Sequence, residues 1–341
     1  MNVPRVTIRD VARAAGVSPA AVSKVLNDGY GVSAAMREKV LHAVGELGYR
    51  PNAAARAMRG RSHTVGVVAD IREPIVGQIT EGIQEGLEES SLDVLLAPAA
   101  SARARQRSCI DAMLHRNPDG LILVVPALAY SALEALGQMI PTVLIGRHGG
   151  GRHFDSVMDD DAMGARLAVE HLAGLGHERI CHIAMPMGGF RRPSVLPQTA
   201  REDGYVAAMR DHGLEPDVIT TDYSEEGGHT GALAALERAE PPTAVFAGTD
   251  TVALGVLRAA HERGLRVPED LAVVGADNIP VGALPQISLT TIDPAGKLNG
   301  STSARLLRER IDGRRNPVTH AITPSMIIRG TTEPRRESDQ R

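Results

Sequence analysis

Hydrophobic positions follow two rhythms along this chain, and the change falls near Thr64. Ahead of it, Val11, Ala14 and Ala15 share one face of a short helix, and Val22, Val25 and Leu26 share one face of a second. A third runs from about Ala34 to Leu47 with Met36, Val40, Leu41 and Val44 as its apolar stripe. The polar positions punctuate these helices. Thr7 and Asp10 make a capping box for the first, Gly16 supplies a turn, and Ser18 followed by Pro19 opens the second. Ser33 caps the third and Gly48 ends it. Two short helices joined by a tight turn form a helix-turn-helix, shaped to place its second helix in the DNA major groove. The outward face of that helix is then Pro19, Ala20, Ala21, Ser23, Lys24 and Asn27.

After Thr64, short apolar runs alternate with amphipathic stretches. Strands are expected at 64–69, 92–97, 120–125, 142–146, 179–184, 218–221, 243–247, 271–275 and 288–292, with helices such as 78–89 and 162–175 between them. Strand, helix, strand in that order means parallel sheets with right-handed crossovers, and two such sets mean two similar lobes. The fold class is therefore an all-α helix-turn-helix head (1–48), a linker (49–63) and an α/β core (64–332) with helices on both faces of its sheets. Lobe 1 is expected over about 64–160 and 294–322, lobe 2 over 161–292 and 324–332, and a polar tail over 333–341. Within the linker, strong helix formers from Arg50 to Gly60 fill only about two turns, too few to be stable alone.

Charge separates head from core. Residues 1–63 hold ten Lys/Arg against four acids, a net of +6, whereas the whole chain is at −4, which leaves −10 on the remainder. A basic head on an acidic body is what a phosphate-binding module joined to a separate domain requires. Cys109 and Cys181 lie far apart, on a helix and a strand, and read as reduced, buried thiols of a cytoplasmic protein. Neither a membrane span nor an export signal is read from the sequence.

The opening segment, its Val22-Ser23-Lys24-Val25-Leu26-Asn27 end and the later Gly45-Glu46-Leu47-Gly48-Tyr49-Arg50-Pro51-Asn52-Ala53-Ala54-Ala55-Arg56 closely resemble the LacI/GalR family of bacterial transcriptional regulators. Further strings stand at the family's order and spacing, among them Asn117-Pro118-Asp119-Gly120, Leu175-Gly176-His177-Glu178-Arg179, Gly264-Leu265-Arg266-Val267-Pro268 and Leu289-Thr290-Thr291-Ile292. The resemblance implies a core like that of periplasmic binding proteins, a hinge helix in the linker that orders over the operator's minor groove, and a homodimer on a palindromic operator. A tetramer is left open. It also implies a small-molecule effector between the lobes, by family habit a sugar or sugar derivative, and no cofactor.

On DNA, Lys24 is the candidate base reader, since an ammonium reaches guanine O6 and N7, and the small Ala20 and Ala21 can approach a thymine methyl. Ser18, Ser23 and Asn27 suit phosphates, and Thr7 and Pro19 complete the set of DNA-binding candidates. The resemblance puts Ala55 in the minor-groove segment and Met58 at the wedge, where relatives carry leucine. In the core it points to Arg201 and Asp277 as effector contacts, with Asp70, Ile75, Arg147, Asp160, Tyr223 and Asp250 around the same rim. With no Trp, three Phe and five Tyr in the chain, Tyr223 is the clear option for stacking a sugar ring. The alternative reading is an enzyme or solute-binding core fused to a DNA-binding head. No G-x-x-x-x-G-K-[ST], G-x-G-x-x-G, G-x-S-x-G or H-E-x-x-H motif supports an enzyme, and a solute-binding protein leaves the basic head unexplained.

Overall fold

The computed structural model describes residues 6–26, 30–49, 62–99, 103–186 and 196–332. Asn27, the hinge segment with Ala55 and Met58, and the tail 333–341 lie outside these residues. The chain divides after Ser62 into two units.

The first unit contains α1 (Ile8–Ala15), α2 (Pro19–Leu26) and α3 (Ala34–Glu46). At the start of α1 the Asp10 carboxylate accepts from the Thr7 N–H at 3.0 Å and from the Thr7 hydroxyl at 2.6 Å. Gly16 closes α1 in the left-handed region at φ 67°, a conformation that costs glycine nothing. Ser18 Oγ then accepts from the Ala21 N–H at 3.1 Å, capping α2. Val11, Val22, Val25 and Val40 form the buried centre, with Ala12, Ala43 and Tyr49 around them. Leu41 departs from the expected stripe and is half exposed. One residue on from Val40 it lies about 100° around the helix, so Ala43 and Val44 continue the inward face instead.

The second unit is built on two six-stranded sheets. The first takes β1 (Thr64–Ala69), β2 (Asp93–Pro98), β3 (Gly120–Val124), β4 (Thr142–Ile145), β5 (Asp155–Asp159) and a late strand, β11 (Thr319–Ile322), in the order β11-β5-β4-β3-β1-β2. The second takes β6 (Ile180–Ala184), β7 (Asp217–Thr220), β8 (Ala244–Ala247), β9 (Ala272–Ala276), β10 (Thr290–Asp293) and β12 (Ser325–Ile327), in the order β12-β10-β9-β8-β6-β7. Each sheet has a hydrophobic layer on both faces. Val65, Val67 and Ala69 pack under α4 (Ile75–Leu87) and α11 (Gly296–Ile311), while Val68, Leu121 and Leu123 pack under α5 (Arg103–Leu114) and α6 (Tyr130–Met139). In the second lobe α7 (Asp161–Gly174) and α8 (Pro197–Asp211) cover one face, α9 (Glu225–Leu236) and α10 (Asp250–Glu262) the other.

Three strands, β5, β11 and β12, escaped the sequence reading because polar residues leave them without an apolar run: they read Asp-Ser-Val-Met-Asp, Thr-His-Ala-Ile and Ser-Met-Ile. β12 also breaks the all-parallel expectation by pairing antiparallel with β10. Cys181 is buried as expected, whereas Cys109 is only half-buried on α5, with Sγ 3.3 Å from the Pro98 carbonyl oxygen.

Glycines let α4 and α11 meet at backbone distance. A Cβ on Gly82 would lie 1.9 Å from the Lys297 carbonyl oxygen, and one on Gly300 2.1 Å from that of Ile79. Gly77, on the same helix, faces open space. Gly82→Ala is therefore expected to lower unfolding free energy by about 1–3 kcal/mol, and Gly77→Ala to leave it unchanged or raise it by up to about 1 kcal/mol. Urea denaturation of both variants checks this; equal effects would show that the close approach is not what Gly82 serves.

Candidate functional site

The chain passes between sheets three times, at Asp159–Asp161, at Ile292–Pro294 and between β11 and β12. At the first two crossings, outside the carboxyl ends of β5, β8, β9 and β10, lies a cavity of about 230 Å³ counted out to its open mouth. Its polar lining is Asp159, Asp161, Arg201 and Asp277; Phe246, Ile292 and Pro294 supply apolar wall. A crevice at strand ends is where sheets of this kind bind ligands.

Arg201, one turn into α8, reaches Asp161 at the start of α7 with Nη2 to Oδ1 at 2.7 Å, and Nη1 donates to the Gly248 carbonyl. The other Asp161 oxygen is 2.8 Å from His148 Nε2, on the loop after β4. All of Asp161 and Arg201 is buried. Burial opposes the Arg201 charge, but Asp161, Tyr223, Asp277 and Asp159 outweigh it and push its pKa upward. Burial likewise opposes protonation of His148, and its bond to Asp161 overcomes this and raises the pKa.

Asp277 follows β9 at φ 109° and is buried. Its N–H donates to the Ile292 carbonyl at 2.8 Å, and among the described residues no protein donor reaches its carboxylate. Burial pushes its pKa well above the carboxylate range, and Arg201 pulls it back only in part. Asp159 is raised to about 7, first by burial and then by Asp161. The cavity thus presents two carboxyl groups as acceptors beside a guanidinium already matched by Asp161, an arrangement suited to hydroxyl or amine donors.

The remaining rim candidates take other places. Asp160 is exposed and caps α7, accepting from the Met163 N–H at 3.0 Å, while its neighbours Asp159 and Asp161 turn inward. Asp70 is engaged by Arg72 through two hydrogen bonds of 2.9 and 2.6 Å. Arg147 is buried and donates to the Pro126 carbonyl at 2.7 Å. Ile75 packs against the α4–α11 layer. Tyr223 lies beside the floor, its hydroxyl buried against Gly248 near the Met185 backbone, and burial raises its pKa to about 12. Asp250 supports rather than lines the cavity: it accepts from the Ile279 N–H at 2.8 Å and the Thr291 hydroxyl at 2.5 Å, which braces the Asp277 loop.

Glu73, Asp159, Asp161, His148 and Phe246 were missed. Glu73 sits before α4, its pKa raised by burial and by Asp70, and it feels Arg201 across the cleft. Nothing local in the sequence marked Asp159 and Asp161: three successive aspartates at a crossing between lobes offer no pattern that says which of them face the cavity. On the head, Ser18, Pro19, Ala20 and Lys24 are exposed and Ala21 and Ser23 half-buried on α2, so Lys24 stands free to reach outward. Thr7 lies at the start of α1, bonded to Asp10.

A helix-turn-helix head followed by a two-lobed α/β core with a polar cleft defines a class, that of DNA-binding regulators whose core responds to a small molecule. Two family models match: that of the lacI family of bacterial regulatory proteins over residues 7–52, and a periplasmic binding protein-like domain over residues 169–332. The chain is 32% identical over 330 residues to the ribose operon repressor of Halalkalibacterium halodurans, covering 96% of this chain and 97% of the relative. The lac repressor dimer bound to operator and the anti-inducer ONPF superposes with a TM-score of 0.81 at 29% identity, covering 96% of this chain and 99% of that one. A LacI family regulator from Enterococcus faecium with bound ribose gives 0.70 at 27% identity, covering 80% and 100%. The chain belongs to the LacI family and is a DNA-binding transcriptional regulator.

Burial raises the Asp250 pKa from 3.8 to about 7. The folded state therefore binds more protons than the unfolded chain between about pH 4 and 7, so this group's contribution to stability falls as pH rises through that window. Asp250→Asn is expected to make the decline of unfolding free energy between pH 4.5 and 7 shallower. Urea denaturation across that range checks it, and an unchanged slope would remove Asp250 from the titration.

Proposed function

We propose that this chain is a cytoplasmic repressor that binds a palindromic operator as a dimer and releases or tightens it in response to a free sugar or sugar derivative held in the cleft. The observation that carries the reading is Asp277, a buried carboxyl group at a strand end whose oxygens no described protein group engages, beside the Arg201–Asp161 pair. Its oxygens can accept from ligand hydroxyls, and while it holds its proton the acid O–H can donate to them. Two of the similar proteins support the sugar class, one named for the ribose operon and one holding ribose. The dimer rests on the lac repressor likeness, and a two-fold protein requires a two-fold site. Cytoplasmic placement rests on the family, and no helix among the described residues is long and apolar enough to cross a membrane. The fused-enzyme alternative is not favoured: relatives that match 96% of this chain include a ribose operon repressor and the lac repressor.

The test is fluorescence anisotropy on operator DNA titrated with a panel of free sugars, run on the full chain and two variants. Asp277→Ala is expected to keep operator affinity while moving the half-response by one to two decades of sugar concentration, about 1.5–3 kcal/mol. Lys24→Ala is expected to leave the sugar midpoint in place and lose roughly 1–3 kcal/mol of specific operator binding, with relaxed preference at one base pair per half-site. An Asp277→Ala protein with a lower melting temperature, weaker DNA binding and an unmoved midpoint would assign that residue to structure alone.

A further inference from the structure

The turn that aims Asp277 into the cavity is held from both lobes. Its own lobe supplies most of the bonds. Asp277 N–H reaches the Ile292 carbonyl, Ile279 N–H reaches Asp250, and the Asn278 side chain spans Asp293 at 3.0 Å and Arg329 at 2.7 Å. The backbone carbonyls of Asp277 and Asn278 point the other way, because both residues take positive φ, 109° and 48°. They meet Gln78, on α4 of the opposite lobe, whose Nε2 donates to the first at 3.1 Å and to the second at 3.0 Å. Gln78 is half-buried and packs closely over Gly296: a Cβ there would stand 2.8 Å from Ile75 Cδ1 and 3.0 Å from both Gln78 Cβ and Oε1. Two non-glycine residues in the left-handed region persist only where their surroundings over-determine them, and one amide fork closes the set.

We propose that Gln78 is a positioning residue for the effector response: it fixes the Asp277 turn to the lobe built on the first sheet, whose β1 is the first strand after the linker. The inference rests on the reading of Asp277 as the ligand acceptor, but the latch itself is testable without a ligand. Hydrogen–deuterium exchange is measured on the full chain at pH 8 for the unaltered protein, for Gln78→Leu and for Gln78→Glu. The glutamate keeps the shape of the side chain while presenting only acceptors to the two carbonyls. Both variants are expected to speed exchange of the Asp277 and Ile279 amides at least fivefold, with peptides from α9 and α10 unchanged. Where a sugar of the panel acts on the unaltered protein, both variants shift its midpoint at least fivefold. Unchanged exchange at residues 276–279 overturns the proposal. So does loosening by leucine but not by glutamate, which would make Gln78 a packing residue. A panel that leaves the operator complex of the unaltered protein untouched overturns the sugar reading instead, and the exchange result still decides the latch.

Discussion

The buried contact between Arg201 and Asp161 is what makes the rest of the cleft tolerable. Around it stand the carboxyl groups of Glu73, Asp159, Asp250 and Asp277, each with its pKa raised by burial. Like charges in a poorly hydrated space avoid one another by holding protons or by sharing a cation. Arg201 does the second for Asp161 outright and for Asp277 and Asp159 in part. Its Nη1 also ties α8 to the Gly248 carbonyl just past β8, so one side chain joins α7, α8 and a strand end of the second lobe. His148 brings the first lobe to the same carboxylate.

From that pair outward, the structure separates support from recognition. Asp250 gives one oxygen to Ile279 on the loop that carries Asp277 and the other to Thr291 on β10, and Asn278 commits its side chain to Asp293 and Arg329, which leaves Asp277, with Asp159, as the acceptors facing the cavity. The floor beneath is equally committed. His182 is fully buried, stacks on Phe246 at 4.8 Å, and is held neutral with its pKa lowered to about 4 by burial. A rigid apolar floor, a matched ion pair and two carboxyl acceptors together favour a small donor-rich ligand over an anionic one.

The sequence was most legible where one physical rule dominated. Helical spacing and caps defined α1, α2 and α3 within a residue or two, because Ser18, Gly16 and Ser33 each have one structural use. Apolar runs located the central strands, since a strand buried on both faces can be little else. Legibility failed at edges and at polar crossings. β5, β11 and β12 hold too few apolar residues in a row to stand out, and without β5 the three successive aspartates at 159–161 could not be assigned to sides. Asp277 and Arg201 came from the family resemblance. Glu73, His148 and Gln78 came from neither source, because their roles depend on which lobes approach across the cleft, a long-range fact that no local pattern records.

The claim on which this account turns is that the Arg201 charge is required chiefly to answer Asp161 in the buried cleft. A double-mutant cycle on the full chain, by urea denaturation at pH 7 with Arg201→Met, Asp161→Leu and the two together, measures it directly. Removing either partner alone strands a buried charge and is expected to lower unfolding free energy by about 3–5 kcal/mol. The account predicts that the double variant regains at least half of what the two single losses would sum to. Losses that simply add would contradict it.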